Sequence, residues 1–398
     1  MALKGLPHVK IDYGNGALGQ TVSSADGLLC IAVCGAMAVA ASAFELAKLY
    51  SVRRLSDIEA LGVDAVNNPL LYQTIKDFYA EAPEGTRVFV IGYPDTLKMS
   101  DVLDKDNPYL RNVIEATNGE LRGLVVTSVP EANPTITDGL DDDIPAALLN
   151  AQMLGEWARI SRYAPVFTIL DGLNFTGDAS ALTDLKMQSH YRAAVVIGSR
   201  EADAANQAVG LIAGRIASNS VERNIGRVAD GALNVLTMFA GDTPIELADT
   251  ETIYNLSYIT FRTFTGMSGY FIADDQTATK ETDDYNHLTA VRTIDKASRI
   301  AYSVLVSQLL DKVQVKSDGR MLRPVIVSWQ QILENAIAAN MTANGELSDD
   351  GGDNGVKCII DSEQDVLATS TINVELRVRP FGYARYINVL LGFTINDN

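Results

Sequence analysis

Short apolar runs alternate with longer amphipathic segments between residue 28 and about residue 241. Each run is apolar at almost every position, which is typical of parallel strands that are buried on both faces. The predicted strands are residues 28–33, 87–92, 123–127, 166–170 and 193–198. Apolar residues at spacings of three and four predict helices between them, at residues 56–61, 70–80, 146–163 and 203–218. The pattern therefore predicts an α/β domain with a largely parallel sheet over residues 26–241.

The pattern changes after residue 241, where two amphipathic helices precede strands with strict alternation. Apolar spacing predicts the helices at residues 289–313 and 329–341. A glycine-rich polar loop leads to a predicted strand at residues 356–360, and alternation predicts two more at residues 372–378 and 387–395. We therefore predict an α+β domain over residues 242–398, ending in a C-terminal arm at residues 384–398.

The first residues of the chain also have the pattern of a strand. Val9, Ile11 and Tyr13 share one face and alternate with charged residues, so residues 1–25 are predicted to form an N-terminal arm. The apolar stretch that follows is rich in alanine and glycine. We interpret it as a buried strand followed by a helix-like segment at residues 36–49, and not as a membrane span. The start of the chain lacks the continuous apolar region of a secretory signal.

Acidic residues outnumber basic ones, and the formal net charge is −18. Nucleic acids are bound mainly by neutralising their phosphates, so a chain with this charge and no Lys/Arg-rich block is not expected to bind them. Binding to anionic membranes is disfavoured for the same reason. The three cysteines give no disulfide framework and favour a reducing compartment.

No strong catalytic motif is found in the sequence. Gly14, Gly16 and Gly19 form a literal G-x-G-x-x-G, but the flanking segments read neither as a buried strand nor as a helix, which a dinucleotide site requires. Gly210 and Gly214 lack the lysine and the spacing of a phosphate loop, and they indicate close helix packing instead.

Patterns for metal binding are equally weak. His8, His190 and His287 are far apart in the sequence, so a His-rich zinc or iron site is not expected. Acidic clusters such as residues 274–275 lack the pattern of a calcium loop, and we interpret them as solvated loops. The sequence therefore predicts no catalytic residue, no cofactor and no metal.

Four segments, taken in order, resemble the sheath proteins of contractile phage tails and of phage-like injection particles. In chain order they are LSDIEALG within residues 51–94, NIGRVADG at residues 224–231, YFIADD at residues 270–275 with DYNHLTAVRTIDK at residues 284–296, and RVRPFGYARYINV at residues 377–389. Their order carries the resemblance, which covers most of residues 50–398.

Sheath subunits of this kind polymerise as stacked rings around an inner tube and drive its ejection by contraction. The resemblance therefore implies a structural protein without an active site or a cofactor. It implies a homo-oligomer whose further partners are a tube protein, baseplate proteins and a tail terminator protein. It also implies a place in a virion tail or phage-like particle that is assembled in the cytoplasm of a bacterial host.

The resemblance further implies that both terminal arms leave the subunit and add strands to the sheets of neighbouring copies. The candidate linking side chains are Val9, Ile11 and Tyr13 in the N-terminal arm and Ile387, Val389, Leu391, Phe393 and Ile395 in the C-terminal arm. The five C-terminal side chains would decide docking, because ordering a backbone residue costs ~1–2 kcal/mol and a ladder hydrogen bond contributes only ~0.5–1.5 kcal/mol. The alternative is that the terminal strand completes the sheet of its own subunit.

One basic stripe stands out in this acidic chain. Arg292, Lys296 and Arg299 fall at i, i+4 and i+7 on one side of a predicted helix. We interpret them as candidates to face an acidic tube. The alternative is a solvated helix face whose charges pair with Asp295 or other local acids.

Two other functional classes remain open at this point. A cytoplasmic α/β enzyme would hold a phosphorylated small molecule above strand ends near Gly92, Gly172 or Gly198, although the sequence lacks a phosphate-binding glycine loop. A capsid or surface-layer subunit would also self-assemble, but it would not share the sheath-like order of motifs.

Overall fold

A computed structural model describes residues 25–40 and 44–390 of the chain. Its strands are β1 (Leu29–Cys34), β2 (Tyr50–Val52), β3 (Val88–Tyr93), β4 (Gly123–Ser128), β5 (Ile136–Thr137), β6 (Leu140–Asp141), β7 (Phe167–Asp171), β8 (Ser189–His190), β9 (Ala193–Val196), β10 (Phe239–Ala240), β11 (Thr243–Pro244), β12 (Phe261–Arg262), β13 (Phe271–Ile272), β14 (Ala278–Thr279), β15 (Val356–Ile360) and β16 (Val374–Val378).

The helices connect these strands and pack on them. They are α1 (Leu55–Glu59), α2 (Pro69–Glu81), α3 (Met99–Leu103), α4 (Tyr109–Ala116), α5 (Ile144–Arg162), α6 (Val209–Ser218), α7 (Thr250–Asn255), α8 (Leu288–Val306), α9 (Arg323–Asn340) and α10 (Val366–Thr369). Among the described residues, no helix has both the length and the apolar character to cross a membrane.

A six-stranded sheet in the order β2-β3-β1-β4-β7-β9 forms the centre of the α/β part. Its neighbouring strands are parallel, except that β2 runs antiparallel to β3. All six residues of β1 are buried, and Ile31 is level with Val90 on one side and Val125 on the other. The five apolar runs of the sequence all form strands of this sheet, so the predicted α/β architecture is confirmed.

Two glycines of α6 allow it to pack directly on α2. A Cβ atom at Gly210 would overlap the carbonyl oxygen of Thr74, and one at Gly214 would overlap the carbonyl oxygen of Phe78. The prediction that these glycines serve helix packing is therefore confirmed. The predicted helix over residues 203–218 is shorter than expected, because it begins only at Val209.

The segment after β1 is not helical, contrary to prediction. The described parts of residues 36–49 form turns and irregular loop. The N–H of Ala36 donates to the carbonyl of Tyr93 at 2.9 Å, and the N–H of Ala47 donates to the carbonyl of Gly92 at 2.7 Å. These bonds hold the segment against the end of β3, so the two amides are not available to a helix.

In the C-terminal part, α8 and α9 pack with the antiparallel pair of β15 and β16. α8 ends at Val306, earlier than predicted, and Leu310 beyond it has a left-handed backbone with φ of +63°. α9 begins at Arg323, earlier than predicted, with a proline in its first turn. β16 confirms the predicted strand at residues 372–378, although the observed strand begins two residues later than predicted, at Val374.

A two-stranded sheet and a shared apolar core connect the two parts of the chain. The pair of β8 with β14 sets Ala278 opposite His190, and one apolar core extends from Leu29 to Val291. Residues well beyond 241 therefore contribute to the core of the α/β part, and a domain boundary at residue 241 stays a prediction.

Candidate functional site

The described part of the C-terminal arm ends in an exposed stretch of chain. Residues 379–390 contain no helix or strand, and the side chains of Ile387, Val389 and Leu390 are 77%, 72% and 99% exposed. The other predicted linking residues, Val9, Ile11, Tyr13, Leu391, Phe393 and Ile395, lie outside the described residues. The described part of the predicted terminal strand is thus unpaired in the single subunit.

Just before this exposed stretch, Arg385 ties the chain to the body. Its Nε donates to Oδ2 of Asp274 at 2.7 Å, and its Nη2 lies 3.7 Å from Oδ1 of Asp275. The guanidinium lies over the ring of Tyr383, 5.4 Å from the ring centroid. The Tyr383 hydroxyl donates to the carbonyl of Glu222. The chain is therefore held at residues 383–385 and is exposed from residue 386 to residue 390.

The two carboxylates that receive Arg385 are buried. Asp274 is 5% and Asp275 0% exposed. Nδ2 of Asn224 donates to both, at 2.6 and 2.8 Å, the N–H of Thr289 donates to Asp275 at 2.7 Å, and Nδ1 of His287 lies 3.2 Å from Asp275. The prediction of a solvated loop was wrong here, because three separate segments supply donors that enclose the pair.

Electrostatics keep this group ionic. Burial opposes ionisation of Asp275, but the His287 imidazole and the hydrogen-bond donors outweigh burial and lower its pKa to about 2. Burial likewise opposes the charge of Arg385, and Asp274 outweighs it, so the pKa of Arg385 lies above its ordinary value. We call Asn224, Asp274, Asp275, His287 and Arg385 the arm anchor.

Part of the arm anchor has the composition of a metal site. The ligand atoms of Asp274, Asp275 and His287 lie within 4.8 Å of one another, and two carboxylates with an imidazole suit a divalent cation. However, the guanidinium of Arg385 already faces both carboxylates. The positive charge that the acids require is supplied by the protein, so we assign no metal to this group.

The arm anchor unites segments that carry the sequence resemblance. Asn224 belongs to NIGRVADG, the two aspartates to YFIADD, His287 to the DYNHLTAVRTIDK segment, and Arg385 to RVRPFGYARYINV. Sequence reasoning missed Arg385, although one signal was available. It is a basic residue between aromatic residues, placed directly before an alternating apolar run.

The basic residues of α8 lie against the subunit's own body. Arg292 is only 3% exposed, and its Nη2 donates to the carbonyl of Asn219 at 2.7 Å, just after α6. Lys296 Nζ lies 2.6 Å from a carboxylate oxygen of Glu346. Nη2 of Arg299 donates to the carbonyl of Pro165 at 2.8 Å. The assumption of an exposed stripe was therefore wrong, and a role of these three residues at a tube stays a prediction.

Asp295 has a different partner from those predicted. Its carboxylate accepts hydrogen bonds from both Nη atoms of Arg192, at 3.0 and 3.1 Å, and Nε of Arg192 donates to Glu156 at 2.8 Å. Arg192 and Asp295 are 1% and 2% exposed. Such a paired, bidentate contact fixes α8 to the α/β part. Nothing in the sequence linked residues so far apart.

The strand ends that an enzyme of this architecture would use are filled by protein atoms. A Cβ at Gly172 would overlap the carbonyl of Val196, and one at Gly198 would overlap the ring of Phe261. Asp171, at the end of β7, is 0% exposed, and burial raises its pKa to about 6. Its carboxylate accepts from Thr127 at 2.6 Å. The enclosed carboxylate therefore joins the neighbouring strands β4 and β7.

Solved structures of contractile machines share this fold. The anti-feeding prophage (AFP) baseplate, 6-fold symmetrised, matches with a TM-score of 0.63 and 15% identity, covering 99% of this chain and 100% of that one. The AFP helical sheath in the contracted state matches with a TM-score of 0.62, 15% identity and the same coverage. The sheath complex of PVC in its contracted state matches with a TM-score of 0.59 and 15% identity, covering 100% of this chain and 99% of that one. PVC is an extracellular contractile injection system.

The sequence itself matches two family models that together extend over nearly the whole chain. The model described as "DUF2586, N-terminal domain" matches residues 6–276, and the one described as "DUF2586, C-terminal domain" matches residues 284–398. No curated protein sequence matches the chain. The fold is that of contractile sheath proteins, as the resemblance implied, and the chain belongs to the DUF2586 family.

Proposed function

We propose that this protein is the subunit of a contractile sheath that polymerises around an inner tube and ejects the tube by contracting. Its partners in this role are copies of itself, a tube protein, baseplate proteins and a terminator protein. The role is mechanical and involves no catalysis. The fold shared with the AFP and PVC sheath structures supports a place in a tail or phage-like particle.

The observation that carries the proposal is the exposed apolar run beyond the arm anchor. Ile387 and Val389, two residues apart, would lie on one face of a strand, and the sequence continues that face with Leu391, Phe393 and Ile395. Each such side chain contributes ~1.5–3 kcal/mol when it becomes fully buried. Ile387 and Val389 are exposed in the single subunit and would gain this free energy when the arm docks on another surface.

The accepting surface that we propose is the pair of β15 and β16 on a neighbouring copy. Within the described residues these strands pair only with each other. The free edge of β15 is partly covered, because the N–H of Cys358 donates to Glu334 and its carbonyl accepts from Gln330, so we propose the edge of β16 as the accepting edge. Addition of a strand to such an edge satisfies the backbone groups of both partners. Ten arm residues span roughly 33 Å, which is enough to cross between subunits.

The experiment is removal of residues 386–398, followed by electron microscopy and sedimentation of the purified protein. We expect the full chain to form hollow striated cylinders and the shortened chain to remain a folded monomer with an unchanged unfolding transition. A matched variant keeps the arm but replaces Asn388 and Thr394, on the opposite strand face, with serine, and we expect it to polymerise normally. Discrete particles, sheets or closed shells from the full chain would refute the sheath role, and loss of folding on truncation would refute the arm role.

A further inference from the structure

A cavity of about 570 Å³ lies beside the central sheet at the amino-terminal ends of its strands, near the first residues of β4 and β7. We call it the arginine cavity. Its lining includes three arginines and two tyrosines, namely Arg122, Arg162, Arg299, Tyr163 and Tyr302. The arginines come from three different elements of the fold, since one precedes β4, one ends α5 and one belongs to α8. In a chain with a net charge of −18, this concentration of guanidinium groups requires an explanation.

The internal partners of these arginines neutralise them only in part. Nη1 of Arg122 donates to the carbonyl of Gly119 at 2.5 Å, and Arg299 donates to the carbonyl of Pro165. Both acceptors are neutral backbone groups, but the Nε of Arg122 also lies 3.8 Å from a carboxylate oxygen of Asp26, whose other oxygen lies 2.7 Å from Nζ of Lys296. Arg162 pairs with Glu115, which is the one carboxylate among the described residues that line the cavity. Among the described residues, the three arginines form ion pairs with Glu115 and Asp26, and Asp26 is shared with Lys296, so the arginines are compensated only in part.

Donor atoms also remain unused. Within the described part of the chain, the Nε atoms of Arg122 and Arg299 are buried and have no hydrogen-bond partner. Burial lowers the pKa of Arg299 to about 10, and repulsion from Arg122 adds to the effect. A buried donor that lacks a partner costs free energy, so an incoming acceptor would be favoured at this place.

The rim of the cavity has the character of a protein interface. Tyr163 and Tyr302 stack with ring centroids 4.6 Å apart and an angle of 14° between the rings. They are nevertheless 57% and 42% exposed. Tyr163 ends α5 with a left-handed φ of +53°, a conformation that non-glycine residues rarely adopt. Exposed tyrosine beside arginine is the composition that is enriched at interface centres.

We propose that the arginine cavity binds a carboxylate side chain presented by a second copy of this chain. This inference rests on the proposed function, because a polymer of this chain brings copies into contact. The subunit surface is rich in carboxylates, and a guanidinium with free donors recognises a carboxylate through paired hydrogen bonds. The stacked tyrosines would pack against the segment that carries the acid. The contact joins two different surfaces, as the head-to-tail contacts of a helical polymer do.

The test compares the critical concentration for polymerisation of two charge reversals on the same helix. Arg162→Glu alters the cavity, and Arg159→Glu, three residues earlier, is the matched control. Their side chains are 45% and 43% exposed, so neither substitution removes a buried group. We expect Arg162→Glu to raise the critical concentration at least ~10-fold and Arg159→Glu to leave it nearly unchanged. Equal effects of the two reversals would overturn the proposal.

A second measurement identifies the partner. Subunits carrying Arg162→Lys are prepared with natural and with heavy nitrogen, mixed, polymerised and treated with a carbodiimide, which couples an amine to a carboxylate in direct contact. We expect peptides of mixed isotope composition that join residue 162 to an Asp or Glu of the other copy. Coupling within one subunit to Glu115 alone would overturn the site. A wild-type chain that never polymerises would refute the proposed function itself, and the inference with it.

Discussion

Replacing Arg385 with alanine tests whether the arm anchor holds the C-terminal arm in place. The substitution removes the bond from Nε to Asp274 at 2.7 Å and the approach to Asp275 at 3.7 Å. Asp274 would retain Asn224 as a partner. The arm itself, from residue 386 onward, would be unchanged in sequence.

The free energy of this contact follows from its geometry. A hydrogen bond to a charged group contributes ~1.5–3 kcal/mol. The side chain of Arg385 is 26% exposed and that of Asp274 6% exposed, so solvent screens the pair in part. We therefore expect a loss of ~1.5 kcal/mol, which corresponds to a roughly ten-fold larger population of arms detached at their root.

Two assays report on that population. Hydrogen exchange of peptides covering residues 381–390 is expected to become up to ~10-fold faster in the folded monomer. The critical concentration for polymerisation is expected to rise by no more than the same factor, because the arm then has to be ordered again when it docks. The melting temperature of the body is expected to fall by only a few degrees, because a given loss of free energy lowers the melting temperature less in a large chain than in a small one.

A matched control and a mutant cycle make the result specific. Arg377→Ala removes an arginine whose partner Glu375 is also exposed, and we expect it to cost ~0–1 kcal/mol. Combining Arg385→Ala with Asp274→Asn in a cycle is expected to give a coupling of ~1–2 kcal/mol. If exchange at residues 381–390 in Arg385→Ala matched that in Arg377→Ala, the arm anchor would have no role in holding the arm.

Two further predictions concern the body of the subunit. Gly210→Ala is expected to destabilise the protein by ~1–3 kcal/mol in urea unfolding, because its Cβ would overlap a backbone oxygen of α2, whereas Gly352→Ala in an open loop is expected to be nearly neutral. Asp275 has its pKa lowered to about 2 in the folded state, so its stabilising effect is complete above its unfolded pKa of ~3.9 and is lost as the pH falls toward 2. Asp275→Asn is expected to remove ~2 kcal/mol of this acid dependence from pH-resolved unfolding curves. A slope between pH 4 and 2 identical to wild type would contradict that assignment.

Much of the α/β part could be predicted from the sequence because local pattern and tertiary environment agree there. β1, for example, is apolar at every position and is buried at every position. The segment at residues 36–49 shows the opposite case. Its alanines favour a helix locally, but hydrogen bonds from Ala36 and Ala47 to β3 determine its path, and those partners are distant in sequence.

The charged residues show why the site was harder to predict than the fold. Helical spacing correctly placed Arg292, Lys296 and Arg299 on one side of α8, yet spacing cannot tell whether that side faces water or a second element. The acids were misread for the same reason. Two adjacent aspartates are usually solvated, and only the assembled structure brings Asn224 and Arg385 to them.

The arrangement of α8 explains how these features act together in the proposed function. At the start of α8 the N–H of Thr289 donates to Asp275, and farther along the helix Asp295 pairs with Arg192. The C-terminal half of α8 packs with α9. The bonds of Asp295 to Arg192, of Arg292 to the carbonyl of Asn219 and of Arg299 to the carbonyl of Pro165 join α8 to the α/β part. When subunits of a contracting sheath move past one another, a body joined by such contacts resists deformation, and the displacement falls on the connections that are exposed and extended. In the proposed function the C-terminal arm beyond Arg385 is such a connection, and the arm anchor that fixes its root serves the same mechanism.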